Sequence, residues 1–535
     1  MNKTLLSAVT GVTVLGMLAS PSSAAGAAAA RTPELRQEDA LARFEHQEIV
    51  WHGCRTGPDD AAGKRLDAAG ARCAALTIPL DYANPDGRTI KVAISRLKAT
   101  APGRRRGVLL INPGGPGVPG LSQVLLGPAV PGIAARYDLI GMDPRFVGRS
   151  AVASVGCRWN TGTFVRSAGP SRDTFDEAAA LMRRLAAGCA GSDHGMLPHA
   201  STRNTARDMD VVRAALGAPK LSYLGVSYGT YLGAVYLRMF PDRADRFVLD
   251  SAVDPGAYGP GLLRPAGPAM EAALRNWAAW AAHRRDHPHL GATAAHRRDR
   301  PHLGATAGRV LATVDEIARS AGRRPLRVGS YRVDAHLLPY VLAVQLADDG
   351  KEAYAGLAAD VALLRDAARG ARVVPTASLD RLLKDALTSA GEGFDRAGTP
   401  VLCADRAASR DPDAYFRDIQ AHRAGEPLFG PMTRDLSPCA FWPAAPAEPP
   451  TDVRTDAPAL IVGAAGDPWT PHVGQRAMRR ALSGARMITL RGAYRHGVFL
   501  AAGAPCVDTA VTRYLVDGVL PATNTTCARN GATGG

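Results

Sequence analysis

The chain has 535 residues, of which 46% are hydrophobic and 21% charged. That balance allows a full buried core and excludes disordered, collagenous and fibrous classes. Lysine and arginine outnumber the acids 64 to 49, for a net charge of +15, but no basic stripe carries interleaved aromatics, so nucleic-acid binding is set aside and the charge bears on solubility.

Residues 1–30 read as a signal peptide rather than as part of the fold. Lys3 supplies the positive start, Leu5 to Leu18 is an apolar run too short to span a bilayer, and Pro21-Ser22-Ser23-Ala24-Ala25 offers small residues for cleavage. No cysteine follows the apolar run to carry a lipid anchor. The expected product is secreted and extracellular, with no stable membrane association. Residues 31–45 are polar with helical spacing, a propeptide or an N-terminal arm.

The eight cysteines fit an oxidising compartment. None has CxxC spacing, so a zinc site is not expected. Pairing sequence neighbours gives 54–73, 157–189, 403–439 and 506–527.

Residues 46–255 alternate strand and helix patterns. Cys73 to Tyr82 and Thr89 to Leu97 flank Asn84-Pro85-Asp86-Gly87 and predict a hairpin. Gly107 to Ile111 and Tyr137 to Asp143 read as buried strands. Thr202 to Leu216 has helical spacing, Leu221 to Leu224 is a strand, Thr230 to Met239 a helix, and Arg246 to Leu249 a strand. This alternation implies an α/β fold, a mostly parallel sheet with helices on both faces. Residues 256–430 change to an alanine-, leucine- and arginine-rich helical pattern, an inserted cap. Residues 431–535 return to the α/β pattern, with a strand at Ala459 to Val462, a helix near 473–483 and a strand from Arg486 to Leu490. Inside the cap, His283 to Ala295 is duplicated as His296 to Gly308. The repeat is too short for a solenoid and reads as an exposed loop rather than a metal site.

Gly225-Val226-Ser227-Tyr228-Gly229 is G-x-S-x-G between a strand and a helix. Such a turn exposes the serine hydroxyl above the sheet and aims the next N–H at a developing oxyanion. Asn112-Pro113-Gly114-Gly115-Pro116-Gly117 follows an earlier strand and can bring a second N–H to the same oxygen. No Lys-Ser/Thr follows it, which argues against a phosphate loop. In the chain order Ser, Asp, His, the acid is Asp467, at the end of a strand, and the base is His496. Asp250 also ends a strand and is a rival acid. His472, close to Asp467, is a rival base.

These residues, with Asp143-Pro144-Arg145 through Gly148-Arg149-Ser150 and with Asp467 to Thr470-Pro471, resemble the secreted tripeptidyl aminopeptidases. Those are α/β-hydrolase serine exopeptidases related to proline iminopeptidases. The similarity runs from about Trp51 to Cys527. It implies an α/β-hydrolase fold with a helical cap, peptide or protein substrates, and release of short peptides from free N-termini, with tripeptides the expected product. Two departures stand out, both where the family commonly has glycine: Phe146 in the Asp-Pro-Arg run, which could narrow the site or change its specificity, and Arg495 before His496.

The expected chemistry is acyl transfer. Ser227 attacks, His496 moves the proton, Asp467 orients it, and the N–H groups of Gly115 and Tyr228 hold the oxyanion. No metal or organic cofactor is implied. A carboxylesterase or lipase would use the same groups, and a silent binding protein would keep only the scaffold. An aminopeptidase must also bind an ammonium group, and the cap offers Glu271, Glu392, Asp395 and Asp405 for that purpose. Asp405 lies in Val401-Leu402-Cys403-Ala404-Asp405, which resembles a cap motif of the family. The oligomeric state is not legible.

Overall fold

The structure, a computed structural model, describes residues 40–529 apart from 154–156, 158, 160–162, 164, 192–194, 284–302, 389–393 and 502. The expected signal peptide and most of the 283–308 duplication lie outside the described residues.

The strands are β1 (Arg72–Pro79), β2 (Thr89–Leu97), β3 (Gly107–Asn112), β4 (Tyr137–Met142), β5 (Leu221–Val226), β6 (Ala244–Asp250), β7 (Leu326–Val328), β8 (Tyr331–Val333), β9 (Ala459–Ala464), β10 (Arg486–Arg491) and β11 (Thr525–Ala528). Nine of them form one sheet in the order β1-β2-β4-β3-β5-β6-β9-β10-β11. β1 and β2 form the expected antiparallel hairpin, and Gly87 N–H bonds Asn84 O at 3.0 Å to close its turn. β2 also runs antiparallel to β4. Every later pairing within this sheet is parallel. This is the expected α/β-hydrolase architecture.

The parallel strands are apolar on both faces because both are covered. Val108 and Leu110 of β3 enter one core cluster, while Leu109 and Ile111 enter the other. β9 splits the same way, with Ala459 and Ile461 on one side and Leu460 and Val462 on the other. That is the period-two signature of a doubly covered strand. The chain leaves β3 for β4 on one side and returns to β5 on the other, so strand order reverses at β3 and β5. A crevice opens beyond the C-terminal ends of strands at such a reversal. The loops at 112–117 and 225–229 sit there.

The stretch between β6 and β9 carries the helical insertion, and packing divides it in two. Trp277, Val314, Leu342 and Leu357 belong to a core of the insertion's own. Leu402, Cys403, Tyr415, Ile419, Leu436 and Cys439 join the core on one face of the sheet instead. Gly398 marks how closely the two bodies approach, since a Cβ there would lie 2.3 Å from Pro116 O. The short hairpin β7–β8 inside the insertion and the edge strand β11 were not legible in the sequence; both are three or four residues long. The four disulfides join sequence neighbours as expected. Cys506–Cys527 ties β11 to the helix Pro505–Asp517. No helix among the described residues is long and apolar enough to cross a membrane.

Candidate active site

β5 ends at Val226 and the next helix begins at Tyr228, so Ser227 alone makes the turn. Its φ of 57° and ψ of −124° lie where L-residues are strained, at an expense of about 1–3 kcal/mol. The turn is possible only with its glycines. A Cβ at Gly225 would meet Gly229 O at 2.5 Å, and one at Gly229 would meet Asn112 Oδ1 at 2.8 Å.

The loop after β3 lies directly against this turn. A Cβ at Gly114 would fall 2.6 Å from Val226 O and 3.0 Å from Ser227 Cβ. Asn112, buried, accepts the Gly114 N–H through Oδ1 at 2.9 Å and so fixes the loop's entry. Gly115 adopts φ 109° and lines the same cavity as Ser227. Tyr228 supplies the first N–H of its helix, one of the donors that has no acceptor within the helix.

Asp467 and His496 lie on the loops after β9 and β10. His496 Nδ1 stands 3.1 Å from both carboxylate oxygens of Asp467. Asp467 is fully buried and is held by four further donors: the N–H groups of Trp469 and Thr470, the Thr470 hydroxyl and Gln475 Nε2. With Nδ1–H donating to Asp467, the lone pair of His496 is left on Nε2. Burial works against the imidazolium, but the charge and hydrogen bond of Asp467, with Asp250 behind, outweigh it and raise the His496 pKa.

Asp250, the rival acid, has a different task. Its carboxylate accepts the N–H groups of Val498 (3.0 Å) and Phe499 (2.9 Å), two and three residues after His496. Its backbone oxygen accepts Ser227 N–H at 2.9 Å. The neighbouring Ser251 Oγ accepts Gly497 N–H at 2.8 Å. One residue pair thus anchors both the nucleophile turn and the histidine loop. Burial raises the Asp250 carboxyl to about 6, against the N–H groups that lower it. His472 is turned to Thr489, with Nε2 3.1 Å from its hydroxyl.

The histidine loop is also fastened to the insertion. His496 N–H bonds Ala347 O at 2.9 Å, and Tyr494 N–H bonds Asp349 Oδ2 at 2.7 Å. Arg495 pairs with Asp348, and Arg529 pairs with Asp349. Arg495 therefore acts as a clasp in the position where glycine is common. Phe146, at φ 66°, is buried in the core cluster beside Arg145 and is not among the residues that line the cavity. The expectation that it could narrow the site finds no contact to support it. The motif around it is structural. Asp143 accepts the N–H groups of Gly120, Leu121 and Arg149, and Arg145 makes a fully buried ion pair with Asp208 at 2.6 Å.

Of the cap acids, Asp405 sits in a buried hydroxyl cluster. Oδ1 accepts Thr202 N–H at 2.7 Å, and Oδ2 accepts the Thr202 and Tyr258 hydroxyls. Thr202 Oγ1 in turn lies 2.9 Å from the Tyr228 hydroxyl. Burial lifts the Asp405 carboxyl to about 6. Both its oxygens are engaged, and it does not line the cavity. Glu271 accepts the N–H groups of Leu428 and Phe429. Glu392 and the side chain of Asp395 lie outside the described residues.

The cavity itself is about 280 Å³, close to the lower end of small-molecule sites at about 300–1,000 Å³. Ser227, Gly115 and Thr470 form its sheet side, and Leu402, Met432, Asp435 and Ser437 part of its insertion side. The sequence reading gave Thr470, Asp435 and Ser437 no role. The one available signal was position: Asp435 and Ser437 lie just before Cys439, whose disulfide partner Cys403 is in the cap.

Comparison with known proteins places these features in context. The α/β hydrolase fold family matches residues 107–309, and the TAP-like protein family matches residues 426–527. A protein named tripeptidyl aminopeptidase from Streptomyces coelicolor is 32% identical over 91% of this chain and 87% of its own. Serine protease Hip1 of Mycobacterium tuberculosis is 31% identical over 90% of this chain and 91% of its own. A protein named carboxylesterase B from the same species is 33% identical over 89% of each chain.

Proposed function

This chain belongs to the tripeptidyl aminopeptidase family of α/β-hydrolase serine peptidases, and from that membership we propose that it is an exported exopeptidase releasing short peptides, chiefly tripeptides, from free N-termini. In this reading Ser227 attacks the scissile carbonyl while His496 Nε2 takes its proton. Asp467 holds the imidazole in the required tautomer and stabilises its cation. The oxyanion lies between the N–H groups of Gly115 and Tyr228. His496 then gives the proton to the leaving amine, and water resolves the acyl-enzyme by the same route in reverse.

The observation that carries the reading is the coupling of the Asp467–His496 pair and the strained Ser227 turn through Asp250 and Ser251, with Ser227, and Thr470 beside His496, lining a cavity roofed by the insertion. Export is supported by four disulfides and by the apolar run near Lys3. The test uses peptides of graded length with free and acetylated N-termini, with products read by mass spectrometry. Tripeptide release from free amines alone is the expected result. Equal cleavage of acetylated peptides, or internal cuts, would overturn it. A carboxylesterase is the second reading, favoured by the relative of that name. It predicts simple acyl esters as far better substrates than any peptide.

A further inference from the structure

Two polar groups in the cavity have no partner among the described residues. Asp435 accepts Leu436 N–H through Oδ1 at 2.8 Å, but its Oδ2 is sealed from solvent and unbonded. Ser437 Oγ is equally buried and unbonded. Both residues line the cavity that contains Ser227. Leaving a buried polar atom unpaired costs about 1–3 kcal/mol, more when it is charged, so such atoms are rare unless something arrives to pair with them. The neighbouring arginine does not serve Asp435, because Arg434 is bound to Glu426 and Asp418. Arg166 is the other charged side chain among the lining residues.

The surroundings narrow the arriving group. Leu402, Met432, Leu436 and Trp469 give the same cavity a largely apolar lining, with Thr433 and Arg166 as polar exceptions. A small cation with several N–H donors, on an otherwise uncharged chain, satisfies a carboxylate and a hydroxyl together. The Cys403–Cys439 disulfide fastens the segment carrying both acceptors to the cap helix Phe394–Asp405.

We infer that Asp435 Oδ2 and Ser437 Oγ receive the α-ammonium of the substrate's N-terminal residue. This rests on the aminopeptidase reading and names the residues that enforce it. They act on binding and take no part in bond making. The distance from this pocket to Ser227 then limits how many residues are released. Burial holds the Asp435 carboxyl well above the usual range, against the Leu436 N–H that lowers it. An arriving ammonium favours the ionised form, so binding and deprotonation go together.

The experiment compares a free-amine tripeptidyl aminomethylcoumarin with its N-acetylated counterpart, in the full-length protein and in D435N, D435E, S437A and R166M. Fluorophosphonate labelling of Ser227 verifies that each variant is folded. In the parent protein the free amine is strongly preferred. D435N should reduce that preference about ten- to hundred-fold through KM, the range of a charge-assisted hydrogen bond. S437A should reduce it less, and D435E should restore part of it. Should the parent cleave both substrates equally, the aminopeptidase reading fails, and this assignment with it. Should the parent discriminate and D435N keep its full preference, only the assignment fails. A carboxylate that serves Arg166 alone predicts equal losses on both substrates in D435N and R166M, which also overturns it.

Discussion

On the sheet side of the cavity, Asp467 accepts from Trp469, Thr470, Gln475 and His496, and Asp250 accepts from Val498 and Phe499. On the insertion side, Asp435 Oδ2 and Ser437 Oγ accept from no described residue. Under the proposed function the contrast has a physical reason. Groups that move a proton in every turnover must keep one geometry, so their remaining hydrogen-bonding capacity would go to fixed partners. Groups that recognise a visitor would need capacity left to offer it.

The largest expected effect tests the sheet side directly. Ser227→Ala and His496→Ala should each lower turnover on the order of 10⁴- to 10⁶-fold while leaving Tm within a few degrees. Substantial turnover in the serine variant would move the chemistry to another group. The next test separates two buried carboxylates, one ending β6 and one on the loop after the adjacent β9. Asp467→Asn should lower kcat by about 10⁴-fold, because the imidazole loses its required tautomer. Asp250→Asn removes an acceptor from the Val498–Phe499 backbone and should act chiefly on stability, by about 1–3 kcal/mol. The reverse pattern would exchange their roles.

A pH profile sharpens the comparison further. Activity needs neutral His496, and Asp467 holds the proton on it more tightly than usual. The acid limb of kcat/KM should therefore lie above the ordinary imidazole value of 6.5 and fall below it in the residual activity of Asp467→Asn. An unmoved limb would show that another group titrates. The smallest effect on activity belongs to Phe146→Gly. Relief of a positive φ returns about 1–2 kcal/mol, but loss of the buried ring removes about 3–5 kcal/mol. Stability should fall by about 2 kcal/mol with kcat/KM within about three-fold. A marked change in substrate preference would return Phe146 to the site.

The sheet and its loops were readable because short-range patterns determine them. G-x-S-x-G needs its glycines within one turn, and Gly225 and Gly229 would collide with Gly229 O and Asn112 Oδ1 if they carried side chains. Buried strands announce themselves as apolar runs. The insertion side obeys no such local rule. Asp405 and Asp435 are both buried acids of the insertion, and only tertiary contacts distinguish them. One meets Thr202, some two hundred residues earlier in the chain, and the other meets no donor among the described residues beyond its neighbour Leu436. β11 escaped notice because Thr525 to Ala528 is too short to show a period, and its pairing with β10 is set from outside.

The clasp between the histidine loop and the insertion gives the molecule a load path. The His496 N–H bond to the Ala347 oxygen ties the backbone of this loop to the insertion. Asp349, held by both Tyr494 N–H and Arg529, makes a second tie between the same two parts. Under the proposed function the station of the base is therefore set in part by the roof, and a substitution that loosens Asp349 should be felt at His496.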